Sequence, residues 1–153
     1  MAAAAHDGYQ DTYFSRQNIL FLDMNVDFQS DVNRAGLVQV MDFIAEAETP
    51  VLIHCVMGQD LSAFICALLE CLMGASYEEI HQDYMITYYN FYGVQPGTEQ
   101  YDRVAKNLDE HLCAAFRADD LSVCDLQKEA EDYFREVGVS EDTLEAVRMN
   151  LGA

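Results

Sequence analysis

Apolar residues recur along most of this chain with the period of an amphipathic helix. Leu37, Val40 and Ile44, for example, fall on one face of a first predicted helix. Ser76 and Glu79 have the spacing of a capping box, which predicts the start of another helix. The periodicity and its stop signals predict six helices, over residues 32–47, 61–73, 76–89, 98–116, 125–137 and 141–150.

Two short continuous apolar runs interrupt this pattern and have the length of buried strands. They cover 19–22 and 51–54. Because a helix separates them, the crossover would place the two strands parallel and adjacent. We therefore expect an α/β fold, with a small parallel sheet and a majority of helices. Residues 1–17 are predicted to form an irregular lead-in, and residues 18–153 a single domain.

The composition of the chain is strongly acidic. Among its 153 residues, 27 aspartates and glutamates stand against 8 lysines and arginines, which gives a formal net charge of −19. A basic groove for nucleic acid is therefore not expected, and long-range attraction of phosphorylated ligands is disfavoured. A solvated acidic surface is the simplest explanation of this charge.

The five cysteines follow no disulfide or metal-binding pattern. Their number is odd, and no C-x-x-C pair occurs. We therefore expect reduced thiols in a cytoplasmic protein, with no metal and no cofactor. No apolar run is long enough to span a membrane, so membrane insertion is not expected.

One cysteine stands where an apolar run, a loop and a helix meet. Cys55 follows the second run, Gly58 marks a tight loop, and the second predicted helix begins shortly after it. Loop N–H groups at the start of a helix converge on an anion and favour the thiolate of a cysteine. This arrangement predicts a nucleophile beside an oxyanion cradle, suited to attack on a phosphate ester. A buried core cysteine is the simpler alternative.

The residues around this cysteine also match a known loop motif: His54-Cys55-x-x-Gly58-x-Asp60-Leu61-Ser62. The motif resembles the signature loop of the cysteine-dependent protein tyrosine phosphatases. It is most similar to the bacterial branch of that family, whose loop runs His-Cys-x-x-Gly-Lys-Asp-Arg before a small residue. Two positions depart from it, because Leu61 replaces the arginine and Gln59 the lysine. Other segments that resemble this branch are 19–28, 68–75, 83–93 and 126–151.

The resemblance implies a phosphatase-like fold, shortened at its N-terminus, and a role for several residues. Cys55 would be the nucleophile, and Ser62 would donate a hydrogen bond to the sulfur as it leaves. Asp27 matches the place of the general acid, a role for which Asp60 is the alternative. A turn aspartate and a helix cap are the structural alternatives for these carboxylates. The implied phosphate-binding loop consists of His54, Val56, Met57, Gly58, Gln59, Leu61 and Ser62.

Leu61 bears most directly on activity. An arginine at this position would bind two phosphate oxygens at once. Loss of one strong oxyanion donor typically lowers the rate by about 10²–10³-fold, so efficient turnover is not expected. We therefore favour a pseudophosphatase that binds rather than hydrolyses. A weak cysteine-dependent phosphatase is the second hypothesis. A sulfur transferase is a third, against which the later segments argue.

The resemblance is compatible with a phosphorylated protein, an inositol phosphate or a lipid phosphate as ligand. An open edge of the predicted sheet would favour a homodimer. The chain also carries a dense aromatic patch, which we expect to form core and rim; a partner surface near the loop is the alternative. Its members are Tyr84, Tyr88, Tyr89, Phe91 and Tyr92.

Overall fold

The computed structural model of the chain describes residues 19–25, 27–48 and 50–152. Six α-helices follow one another in these segments, in the places that the periodicity predicts. None of them combines the length and the apolar character needed to cross a membrane. They are α1 Asp31–Glu46, α2 Leu61–Leu72, α3 Tyr77–Tyr92, α4 Glu99–Phe116, α5 Leu126–Val137 and α6 Glu141–Leu151, with a short 3₁₀ turn Leu121–Val123 before α5.

Local signals in the sequence set where the helices begin and end. Ser76 caps α3 in a capping box, in which its hydroxyl accepts from the Glu79 N–H and its own N–H donates to the Glu79 carboxylate at 2.8 Å. Ser30 and Ser140 cap α1 and α6 through their hydroxyls. Gly138 ends α5 in a left-handed conformation, with φ of 108°. The capping box predicted at Ser76 is thereby confirmed.

The predicted parallel sheet is wrong, and so is the α/β fold class that rested on it. The described residues form no strand, and no backbone hydrogen bond among them joins 19–24 to 50–54. Burial alternates along the second apolar run: Val51 and Ile53 pack on the helical core, whereas Leu52 is 83% exposed. A strand of a parallel sheet would be covered on both faces. The described part of the chain is all-helical, and the predicted homodimer loses the sheet edge on which it rested.

Helix α2 lies at the centre of the helical core. It packs against α3, α4 and α5, while α1 packs against α5 and α6. Glu70 is its one charged residue, and Leu68 and Leu72 on it are completely buried. A helix that is apolar on most of its faces is stable only when other helices cover it. The packing of α2 therefore fixes the position of its N-terminus, where the candidate site lies.

Candidate active site

Cys55 lies in the loop that leads into α2. Residues 56–60 bend without regular secondary structure, and Gly58 adopts a left-handed conformation, with φ of 68°. This bend brings the Gly58 N–H back toward the cysteine, so that it donates a hydrogen bond to Cys55 Sγ at 3.2 Å. The Cys55 side chain is half-buried. Its sulfur is therefore held by the loop and is not enclosed in the core.

Ser62, in the first turn of α2, contacts the same sulfur. Its Oγ lies 3.3 Å from Cys55 Sγ, and the residue is buried. Burial of the thiol acts to raise the pKa of Cys55. Hydrogen bonds from the Ser62 hydroxyl and from the N–H groups of Ser62, Gly58 and Met57 outweigh that effect and lower the pKa to about 6. At neutral pH Cys55 is therefore mainly a thiolate, which is its nucleophilic form.

Leu61 occupies the position at which the resembling loop carries arginine. Its side chain is half-buried and packs against the hydrophobic core. Gln59, at the lysine position, is also half-buried, and its Oε1 is buried without a hydrogen-bond partner among the described residues. No lysine or arginine occurs between residues 35 and 102. The loop and the two helices that follow it therefore contribute no permanent positive charge.

Asp60 lies immediately before α2, and its side chain is exposed. Its carboxylate does not cap the helix, although its carbonyl accepts a hydrogen bond from the Phe64 N–H at 2.9 Å. Burial, a hydrogen bond with Tyr84 and the nearby charge of Asp60 together raise the pKa of Tyr88 on α3. The Tyr88 hydroxyl is therefore within range of the Asp60 charge.

Asp27 lies in the loop before α1, which the buried Asn33 holds in place. The Asn33 amide donates to the carbonyls of Asn25 at 2.6 Å and Asp27 at 2.9 Å, and its Oδ1 accepts from the Asn25 N–H. Phe28 packs on Phe64 of α2, with ring centroids 4.3 Å apart. These contacts hold the loop against the first turns of α2, whereas the Asp27 side chain is exposed.

The outer part of the loop is apolar and open to solvent. Val56 is 98% exposed and Met57 is 61% exposed. His54 is exposed as well, so the structure does not place it in the core. The described part of the chain brings no three His, Cys, Asp or Glu side chains together in a way that could hold a metal ion. The groups that contact the sulfur of Cys55 are therefore backbone N–H groups and the Ser62 hydroxyl.

Sequence reasoning missed two side chains that position the site, Asn33 and Phe28. Asn33 is 1% exposed and lies on the same face of α1 as Leu37 and Ile44. A polar residue on an otherwise apolar helical face was the available signal, because a buried amide needs hydrogen-bond partners. The stacking of Phe28 on Phe64 had no comparable signal in the sequence.

Comparison with known proteins places the chain in a family. No curated protein and no solved structure matches it significantly. The model of the tyrosine phosphatase family matches residues 4–153, nearly the whole chain. The family predicted from the sequence is thereby confirmed, and the chain belongs to the tyrosine phosphatase family.

Proposed function

We propose that this domain retains a reactive cysteine but has lost efficient recognition of phosphate dianions, and that it acts as a binding module. The observation that carries the proposal is the contrast between Cys55 and Leu61. The loop N–H groups and Ser62 stabilise a thiolate at Cys55, whereas Leu61, at the position of the arginine in the resembling loop, is half-buried and packs against the core. A phosphatase needs both the nucleophile and the anion-binding charge.

The charge around the loop disfavours a phosphate monoester. Such a group carries about −1.5 to −2 charges at neutral pH, and it would approach a thiolate that is itself negative. Asp60 lies at the end of the loop, and the segment that carries Asp27 is held against α2. Residues 35–102, which include the loop, contain no lysine or arginine. The backbone N–H groups remain as donors. They can stabilise a single negative charge, but they add no net positive charge to offset a dianion.

A second function, weak hydrolysis of phosphate monoesters, is favoured by the low pKa of Cys55. In this reaction the thiolate attacks phosphorus and the ester oxygen leaves with a proton from Asp27 or Asp60. Water then attacks the phosphocysteine, the sulfur leaves, and inorganic phosphate is released. Ser62, at 3.3 Å from the sulfur, would donate its hydrogen bond to the departing thiolate. A phosphorylated protein, an inositol phosphate or a lipid phosphate would be the substrate.

Hydrolysis of a generic aryl phosphate separates the two functions. We expect the unmodified chain to hydrolyse the aryl phosphate no faster than background. The double variant Leu61→Arg and Gln59→Lys should raise the hydrolysis rate about 10²-fold or more above that level, because a strong oxyanion donor contributes roughly that much. Adding Cys55→Ser to this variant should abolish the gain. Leu61→Met is the matched control, because it changes the same half-buried position without adding charge.

The opposite result is equally clear. Turnover by the unmodified chain that disappears in Cys55→Ser would show that the domain is an active phosphatase. Circular dichroism of each variant shows whether the six helices persist, so that a loss of fold is not mistaken for a loss of chemistry.

A further inference from the structure

Exposed apolar side chains lie on two parts of the surface, in the loop after Cys55 and at the C-terminal end of α3. Val56 and Met57 form the outer part of the loop, at 98% and 61% exposure. Tyr89, Phe91 and Tyr92 lie at the C-terminal end of α3, and each is at least half exposed. Exposed apolar groups of this kind mark binding sites when they are contiguous.

A row of tyrosines connects the two parts. Tyr84, Tyr88 and Tyr92 follow one another at a spacing of four residues along α3, with ring centroids 5.4 Å and 6.1 Å apart. The row begins in the core at Tyr84, and the middle ring lies near the carboxylate of Asp60, at the end of the loop. Helices α2 and α3 pack directly on one another and are joined by residues 73–76, so α3 runs back along α2 and its C-terminal turns lie toward the loop. We therefore treat the loop residues Val56, Met57 and Asp60 and the rings of Tyr88 and Tyr92 as one surface, called here the loop–tyrosine face.

Asp60 is the one carboxylate among the five residues that define the loop–tyrosine face, and none of the five is basic. The sequence between residues 35 and 102 holds ten aspartates and glutamates and no lysine or arginine. In the part of the chain that the structure describes, six basic residues form ion pairs with acids of α4, α5 or α6. The basic residues in these pairs are Arg34, Lys106, Arg117, Lys128, Arg135 and Arg148.

We propose that the loop–tyrosine face binds a basic polypeptide segment that alternates cationic and apolar side chains. This inference rests on the proposed binding role of the domain and names its partner class. A guanidinium can pair with Asp60 and lie over the rings of Tyr88 and Tyr92. Apolar side chains of the same segment would cover Val56 and Met57. The net charge of −19 attracts such a segment at long range and repels acidic partners.

Binding of synthetic peptides to the full chain tests this inference. The probes are a fluorescein-labelled peptide that alternates arginine and leucine, a peptide of equal charge that alternates arginine and glycine, and one that alternates glutamate and leucine. Fluorescence anisotropy at physiological salt should give the tightest binding for the first. The second should bind more weakly and the third should not bind. Equal affinity of the first two would overturn the apolar part of the inference.

Variants locate the binding on the surface. Tyr92→Ala and Asp60→Asn should each weaken binding of the arginine–leucine peptide by about two- to fivefold, the range expected for one exposed cation–π contact or ion pair. The matched controls are Met149→Ala and Glu145→Gln, two exposed positions on α6. We expect each control to change the affinity less than twofold, because a single exposed side chain outside the binding surface contributes little. Equal loss in controls and face variants would mean diffuse attraction to an acidic protein and would overturn the assignment.

Alkylation of the cysteines gives a second, site-specific measurement. Bound peptide should slow the reaction of Cys55 with iodoacetamide, whereas labelling of Cys113 and Cys124, on α4 and after the 3₁₀ turn, should not change. Peptide that binds without protecting Cys55 would also overturn the assignment. Neither result depends on aryl phosphate turnover, so failure of this inference is distinguishable from failure of the proposed function.

Discussion

The loop around Cys55 and the α5–α6 pair differ in how they balance negative charge. On the α5–α6 pair, Arg135 contacts the carboxylates of Glu131, Asp132 and Glu141, and Arg148 also pairs with Glu131. At the Cys55 loop, the described residues that stabilise negative charge on the sulfur are N–H and O–H donors.

The difference shows where this chain uses its few basic residues. Among the residues that the structure describes, six basic side chains form ion pairs that connect or flank helices, and none of these pairs lies in the loop. Hydrogen-bond dipoles are sufficient for a monoanionic thiolate, which explains how the loop lowers the pKa of Cys55 without an arginine. We propose that efficient binding of a phosphate dianion needs a charged donor as well, such as an arginine. On this proposal the nucleophile and the substrate-binding charge are separable features of the fold.

The largest effect is expected from the helix that supports both regions. Leu68 on α2 is completely buried, and α2 packs directly on α5. Leu68→Ala should lower the free energy of unfolding by about 2–5 kcal/mol, because it removes buried methyl groups and leaves a cavity. Urea denaturation followed by circular dichroism measures this loss. An effect below about 1 kcal/mol would mean that α2 is not the centre of the core.

The next effect concerns the donors at the sulfur. Ser62→Ala removes the hydroxyl that contacts Cys55 Sγ, so the pKa of Cys55 should rise by about one unit or more, as expected for loss of a hydrogen bond to a charged group. Iodoacetamide labelling at about pH 6 should then slow several-fold, up to about tenfold. Ser122→Ala, an exposed serine after α4, is the control. Unchanged labelling in Ser62→Ala would leave the backbone N–H groups as the sole stabilisers of the thiolate.

A third effect concerns a carboxyl group on α2 that no cation balances. The pKa of Glu70 rises from 4.5 to about 8. Burial is the main cause, and the negative charge of Asp83 on α3 and a hydrogen bond with Asp83 add to it. Because the folded state favours the protonated form, the stability that Glu70 contributes is complete below its unfolded pKa and is lost as pH rises through about 8. Cys66 and Cys71 lie beside it on α2, and their thiols have raised pKa values of about 11 and 12.

Glu70→Gln should therefore stabilise the chain more at about pH 8 than at about pH 5. Thermal unfolding at the two pH values measures the difference. Asp83→Asn removes the neighbouring charge and should reduce the same pH dependence. A Glu70→Gln effect that is equal at both pH values would contradict the raised pKa.

The smallest effect is expected from the ion pairs of the α5–α6 pair. Arg135 is 37% exposed, and its carboxylate partners are partly exposed too. Arg135→Met should therefore shift the urea denaturation midpoint only slightly, despite its three partners. Lys106→Met, which removes a single exposed pair with Glu110, should shift it less again. A shift at Arg135 as large as that of Leu68→Ala would mean that the network is a main determinant of stability.

The helices and the loop motif could be predicted from the sequence, because both depend on residues close together in the chain. Ser76 and Glu79 specify their capping box three residues apart, and Cys55 and Gly58 specify their loop in the same way. The sheet could not be predicted correctly, because a short apolar run does not reveal whether one face or both faces of the extended segment are buried. Val51 and Leu52 show the difference, one packed on the core and the other exposed.

Contacts between distant residues account for the rest of what was missed. Asn33 reaches the backbone of Asn25 and Asp27, and Phe28 stacks on Phe64, far along the chain. The inward packing of Leu61 also depends on the neighbouring helices. The sequence shows that leucine stands where the resembling loop has arginine, but it does not show where the leucine side chain lies.

The separation of nucleophile and anion-binding charge can be measured in one experiment, the protection of Cys55 from alkylation by inorganic phosphate. Iodoacetamide should label Cys55 rapidly at neutral pH, and millimolar phosphate should not slow the reaction in the unmodified chain. Phosphate should slow it in Leu61→Arg, because the guanidinium would hold the anion over the sulfur. Protection of the unmodified chain as strong as that of Leu61→Arg would contradict the central claim, since the loop would then bind phosphate without its arginine.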